Sequence, residues 1–327
     1  MYSVNESSFK GIFYQKNMNI SENTVSTILQ GYTTSPTMNS PVSSEHESQK
    51  IILMLLYSLV FAGGSVGAIV LSQKLLKTRS FSVTTTAVIN LVVVHSMFLI
   101  VVPFRISYYV MGAWKLPSFF CTVVSAMLPF HMYTAFGFYV AILIIRFLTF
   151  FKKNIRVYYC KQLHSLIIST VVWTIVIVLI LPLIIQLYKN YDSKKERCFE
   201  YHVKNYDQQI ITVNYFIIIS MILAMTTLMI IQIIILAKVV MKFKKEACSH
   251  QEFRAQVKTF LFVLAMLISF LPYHIFRIYY ISEGTQPNST ELYFYNEFCS
   301  GLTAISCLDS LVILAVVSLS KRQMSFQ

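Results

Sequence analysis

"ISFLPYHIFRIYY", Ile268 to Tyr280, is the stretch on which the reading of this chain turns. It lies inside an apolar run from Val257 to Ile281, long enough to cross a bilayer core, which takes about 20 helical residues. Hydrocarbon is a poor place for a proline, which removes a backbone donor and bends a helix, and a worse one for an arginine. Pro272, His274 and Arg277 therefore call for a role beyond spanning.

Working outward, six further segments have the same length and apolar character: Ile51 to Leu75, Val83 to Val110, Phe119 to Phe151, Leu163 to Leu187, Ile210 to Met241 and Tyr293 to Leu319. With 56% hydrophobic and 13% charged residues among 327, and a mean hydropathy of +0.61, the chain is too apolar for a soluble domain. Backbone groups inside a bilayer must satisfy one another, and the alternating pattern of a barrel strand is absent, so the spans are read as helices. The expected fold class is an all-α membrane protein, a seven-transmembrane helix bundle with its N-terminus outside.

That orientation comes from the basic residues. Lys74, Lys77, Arg79, Lys152, Lys153, Arg156, Lys161, Lys238, Lys242, Lys244, Lys245, Arg254, Lys258, Lys321 and Arg322 follow the first, third and fifth spans or lie in the C-terminal tail, against only Glu246 and Glu252. The net charge of +13 is thus a topology signal that puts these loops in the cytoplasm. A nucleic-acid partner is not expected, because the basic residues sit at span ends and not on one soluble domain. Residues 1–49, rich in Ser, Thr and Asn and without a signal-peptide core, read as a disordered extracellular tail; 50–319 is the seven-span bundle and 320–327 a short cytoplasmic tail. Asn5, Asn19 and Asn288 open glycosylation sequons, all on the expected outer side of a plasma-membrane protein.

Cys121 and Cys198 fall in or at the edge of outer segments, where an oxidising compartment favours a bridge. Cys160 and Cys248 are expected to be reduced, and Cys299 and Cys307 to be small packing residues. No CxxC pair, HExxH, nucleotide loop or nucleophile elbow occurs, so neither enzyme chemistry nor a metal or cofactor is expected.

Trp114 seven residues before Cys121, Arg146 at the inner end of the third span, Trp173 in the fourth and "SFLPYH" in the sixth resemble the rhodopsin-like (class A) G protein-coupled receptors; "FLPYHIFR" is similar to their purinergic and lipid-mediator branch. The resemblance covers about Ile51 to Leu319. It implies a cell-surface receptor that binds an extracellular ligand and activates a heterotrimeric G protein. In that pattern Arg146 serves coupling, Pro272 bends the sixth helix, and Phe270 stands where a toggle tryptophan is usual. Glu252, twenty residues before Pro272, falls where many members carry an acid facing the arginine of the third helix. An Arg146–Glu252 pair is therefore expected, with a solvated Glu252 at a helix start as its alternative.

Several motifs depart from the family. The family's Asp-Arg-Tyr reads Ile145-Arg146-Phe147, the sodium-binding aspartate of the second helix falls on His95, and Asn-Pro-x-x-Tyr becomes Asp309-Ser310-Leu311-Val312-Ile313. A His95–Asp309 contact is expected in place of a sodium site, with a neutral histidine bonded to backbone or water as the other possibility. Tyr273, His274 and Arg277 share one side of the sixth helix, since residues three and four apart lie on one face. The resemblance assigns them to an anionic ligand, a lipid acid before a nucleotide, with Arg105 as a second positive charge. Arg277 has two internal alternatives: reaching the outer interface, or neutralisation by Glu297. A decoy that binds or heterodimerises without coupling is the rival reading. A transporter is a further one, disfavoured because the titratable midspan residues are chiefly His95, His131 and Asp309.

Overall fold

The computed structural model describes residues 41–77, 83–151, 161–189, 198–199, 208–243, 251–283 and 290–311. The chain divides into two compact units, Met1–Glu47 and Ser48–Gln327. The helices are α1 (Pro41–Leu76), α2 (Val83–Met111), α3 (Ser118–Phe151), α4, α5 (Gln208–Phe243), α6 (Gln251–Glu283) and α7 (Thr290–Thr303). Among the described residues there is no strand. Six helices are long and apolar enough to cross a membrane. The expected seventh span is described only as far as residue 311; the rest of it lies outside the described residues, as do Asn5, Asn19 and Asn288.

Two helices are less regular than a 20-residue apolar run implies. In α4, Lys161–Ile175 passes through a π-helical turn, Val176–Ile180, into Leu181–Lys189. The N–H of Leu181 reaches back to the carbonyl of Val176, and Pro182 beside it has no N–H to continue an ordinary ladder. In α7 the turn after Thr303 tightens into a 3-10 helix, Ala304–Leu308, and its buried side includes Ala304, Ser306 and Cys307.

Small residues set the approach of α1 to α7. A Cβ placed on Gly67 would lie 3.0 Å from the Cβ of Ser310, and one on Gly64 would lie 3.2 Å from the Cβ of Cys307. Glycine at these two positions lets the helices meet at backbone distance, the usual device where lipid supplies no hydrophobic drive for association. α5 packs on α6, α2 on α3 and on α4, and α6 on α7. Large apolar side chains stay on the outside: Leu55, Leu59, Ile100, Phe216, Leu223 and Ile268 are all exposed. In α4 only 11% of the most apolar window is buried within the protein. Such a surface suits acyl chains and no aqueous setting.

Inside, one cluster joins Tyr57, Phe98, Val102, Val124, Cys121, Cys198 and Phe199. A second, deeper one joins Leu91, Met132, Phe138, Tyr139, Met225, Val263 and Phe270. Polar groups are sparse in both clusters.

Candidate functional site

Cys121 at the start of α3 is bonded to Cys198, as expected, which pins the segment before α5 to the bundle. The bridge sets the next residue. Phe199 has a left-handed backbone, φ 74°, a conformation costing a bulky side chain about 1–3 kcal/mol. Its ring meets Tyr108 edge-on at 5.0 Å and Trp114 at 5.9 Å, and lies 4.4 Å from the guanidinium of Arg105.

Arg105 is only 2% exposed. It donates to the carboxylate of Glu297 in a direct ion pair, to the Tyr57 hydroxyl at 3.1 Å and to the Val124 carbonyl at 3.2 Å. Tyr57 and Tyr109 each donate to the same Glu297 oxygen at 2.9 Å. α1, α2, α3 and α7 are thereby joined through one acid and one base. Arg105, expected as a second positive charge for a ligand, is paired inside the protein with Glu297. Glu297, the alternative partner expected for Arg277, turns to Arg105 instead.

Arg277, from the same helix turn as the opening motif, is half-buried. It donates to the Asn296 amide oxygen at 3.1 Å and its guanidinium lies 5.0 Å from the Tyr280 ring. One turn before it, His274 is fully buried, with ring contacts to Tyr133 at 6.4 Å and Tyr273 at 5.2 Å. Neither ring nitrogen of His274 has a hydrogen-bond partner among the described residues. An unmet buried imidazole costs roughly 1–3 kcal/mol, which native interiors avoid unless something else fills the site. Tyr273, His274 and Arg277 do gather on one part of the bundle interior; Arg105 does not join them.

Deeper in the bundle, the expected His95–Asp309 contact is replaced by two others. His95 Nδ1 lies 2.8 Å from His131 Nε2, and Cys307 Sγ lies 3.6 and 3.5 Å from those two atoms. Asp309 instead accepts from the Tyr139 hydroxyl. The two residues belong to neighbouring helices, but the tightened turn of α7 presents Cys307 to α2 and Asp309 to α3. His131 was visible in the sequence as a midspan titratable group; the part taken by Cys307 had no sequence signal.

Phe270 is buried in the deeper cluster, 6.0 Å from the Tyr139 ring, and Pro272 lies within the continuous α6. Trp173 donates to Asn90 at 2.9 Å, tying α4 to α2. The side chains of Arg146 in α3 and Glu252 in α6 lie outside the described residues, and so does their expected pairing.

A helical bundle of this order, with a bridge from the start of α3 to the segment before α5 and a few buried polar groups inside an apolar shell, is that of a multi-pass membrane protein. Comparison agrees: residues 66–311 match the 7 transmembrane receptor (rhodopsin family), and the chain belongs to that family. It is 43% identical over 263 residues to human "Probable G-protein coupled receptor 141", covering 80% of this chain and 86% of that protein. It is 28% identical over 170 residues to rat "G-protein coupled receptor 183", covering 50% of this chain and 46% of that one. To mouse "Probable G-protein coupled receptor 34" it is 24% identical over 250 residues, 73% and 65% of the two chains. It is therefore a multi-pass membrane receptor of the rhodopsin family.

Proposed function

We propose that the protein sits in the plasma membrane with its N-terminus outside and its C-terminus in the cytoplasm, and couples binding of a small anionic ligand to a heterotrimeric G protein. The observation that carries the ligand class is His274, buried and without a hydrogen-bond partner among the described residues, one turn from Arg277. An oxyanion between them accepts from the guanidinium fork and from an imidazole N–H, supplying what His274 lacks. The surrounding side chains are aromatic and aliphatic, which favours a lipid acid over a nucleotide. Tyr133 and Tyr273 offer ring faces on either side of His274.

Binding that favours one arrangement of α6 over another is transmitted as a population shift, with Pro272 as the place where α6 bends. At the opposite end of α6, Glu252 is proposed to hold Arg146 of α3 in the resting state. Glu252→Gln then raises basal G protein activation at equal surface expression; unchanged basal activity removes that lock from the account.

The ligand class is tested on purified receptor by thermal unfolding with oleate, a lysophosphatidic acid and a nucleoside diphosphate. At hundredfold excess over its dissociation constant a ligand stabilises by about 2.7 kcal/mol. The lipid acids are expected to stabilise the wild type and to lose that effect in Arg277→Gln and His274→Phe. Stabilisation by the nucleotide alone, or an unchanged response in both variants, contradicts it. A second reading, a receptor that binds without coupling, draws on the 3-10 turn of α7 just before Asp309. A G protein activation assay with whichever lipid stabilises the protein separates the two.

A further inference from the structure

His95, His131 and Cys307 form a buried group joined by contacts of hydrogen-bond length that leave its outer ring nitrogens unmet among the described residues. The three residues come from α2, α3 and the 3-10 turn of α7, and are 1%, 0% and 0% exposed. Their inner donor atoms converge, all within 4.8 Å of one another. A neutral imidazole carries one N–H and one lone pair. If one ring donates to the other across the 2.8 Å contact, its own lone pair faces outward, and so does the N–H of its partner. Those outward atoms, His95 Nε2 and His131 Nδ1, are the ones without hydrogen-bond partners. The Cys307 thiol meanwhile approaches two nitrogens already engaged with each other.

Metal coordination fits better. With metal–sulfur bonds of about 2.3 Å and metal–nitrogen bonds of about 2.0–2.1 Å, a sulfur and a nitrogen on one ion stand roughly 3.6 Å apart and two nitrogens roughly 3.4 Å apart. The observed sulfur–nitrogen separations, 3.6 and 3.5 Å, already have that value. Only the 2.8 Å between the nitrogens must widen, by roughly half an ångström. We propose that His95, His131 and Cys307 bind a thiophilic d10 metal ion, monovalent copper or zinc. One thiolate and two imidazoles are a soft to borderline donor set, unsuited to cations that require oxygen ligands.

On binding, the ion replaces the Cys307 thiol proton, which leaves to solvent; both imidazoles coordinate through lone pairs and keep their N–H on the outer nitrogens. With monovalent copper the site is neutral, and with zinc it carries one positive charge. The dry surroundings favour copper of the two, because an uncompensated buried charge is costly. Either ion ties α2, α3 and α7 at one point and holds the 3-10 turn of α7 in place. The site is separate from His274 and Arg277, so its presence does not depend on the ligand reading.

Purified receptor is exposed anaerobically to glutathione-buffered monovalent copper or to zinc, freed of excess metal, and analysed for bound metal per protein and by X-ray absorption at the metal edge. The expected result is one retained ion of either metal, with one sulfur and two nitrogen ligands. Cys307→Ser and His131→Gln are expected to weaken retention on the order of tenfold or more. Cys299→Ser, which removes the other described free cysteine of α7, leaves it intact. Retention of neither metal by folded wild type, absorption without a sulfur ligand, or equal retention by Cys307→Ser and Cys299→Ser overturns the proposal. Because the absorption measurement uses wild type alone, it decides the matter even if a variant misfolds.

Discussion

Arg105 and Arg277 reach neighbouring residues of α7 and have opposite surroundings. Arg105 is matched to Glu297, held by Tyr57 and Val124, and covered by Phe199. Arg277 rests on the neutral amide of Asn296, next to an imidazole with no hydrogen-bond partner. The same residue type thus acts in one place as part of the scaffold and, in the function proposed above, in the other as part of a binding site. The difference lies in what each reaches on α7, an acid for Arg105 and an amide for Arg277. A buried ion pair held by further hydrogen bonds belongs to the fold, whereas a guanidinium that donates to an amide can also take an oxyanion.

The largest effect is expected where this scaffold is broken. Glu297→Gln leaves the Arg105 charge buried without its counter-charge and gives two tyrosines a weaker, uncharged acceptor, a loss of roughly 3–5 kcal/mol. Thermal unfolding of purified receptor checks it, and a variant as stable as wild type would remove Arg105 from the scaffold. Cys121→Ser follows, at about 2–4 kcal/mol for a bridge that closes a 77-residue separation. It also releases Phe199 from above Arg105, so its effect is expected to be less than additive with that of Glu297→Gln in the double variant, since the two sites share a partner.

Tyr139→Phe is expected to cost about 1–3 kcal/mol, because the Asp309 carboxyl, 4% exposed, loses its donor. The same measurement on Asp309→Asn separates the loss of the hydrogen bond from the burial of the acid. The smallest loss is expected for Arg277→Gln, where glutamine can still donate to Asn296: about 1 kcal/mol or less, the net worth of one hydrogen bond.

The spans were legible in the sequence because the bilayer imposes length and backbone satisfaction on each of them separately. The bridge was legible because the expected topology placed Cys121 and Cys198 in one compartment. Partners within the interior were not. Successive residues of an α-helix are turned by about 100° from one another, so one position along α7 decides which arginine receives the acid. Asn296 faces Arg277 and Glu297 faces Arg105, an assignment set by how α1, α2 and α6 are rotated against α7. The substitution of His131 and Cys307 for Asp309 beside His95 has the same origin, with the 3-10 turn of Ala304–Leu308 shifting the facing positions further. A π-turn in α4 likewise leaves no trace in an apolar run beyond the proline that follows it.

The most direct test of the central claim places Arg277→Gln beside Glu297→Gln in a single ligand-free thermal unfolding experiment on purified receptor. Losing 3–5 kcal/mol is expected to lower the midpoint of Glu297→Gln by roughly 5–10 °C, with Arg277→Gln remaining within about 2 °C of wild type. An equal fall in both variants would contradict the account, because Arg277 would then belong to the folding scaffold and not to the proposed ligand site.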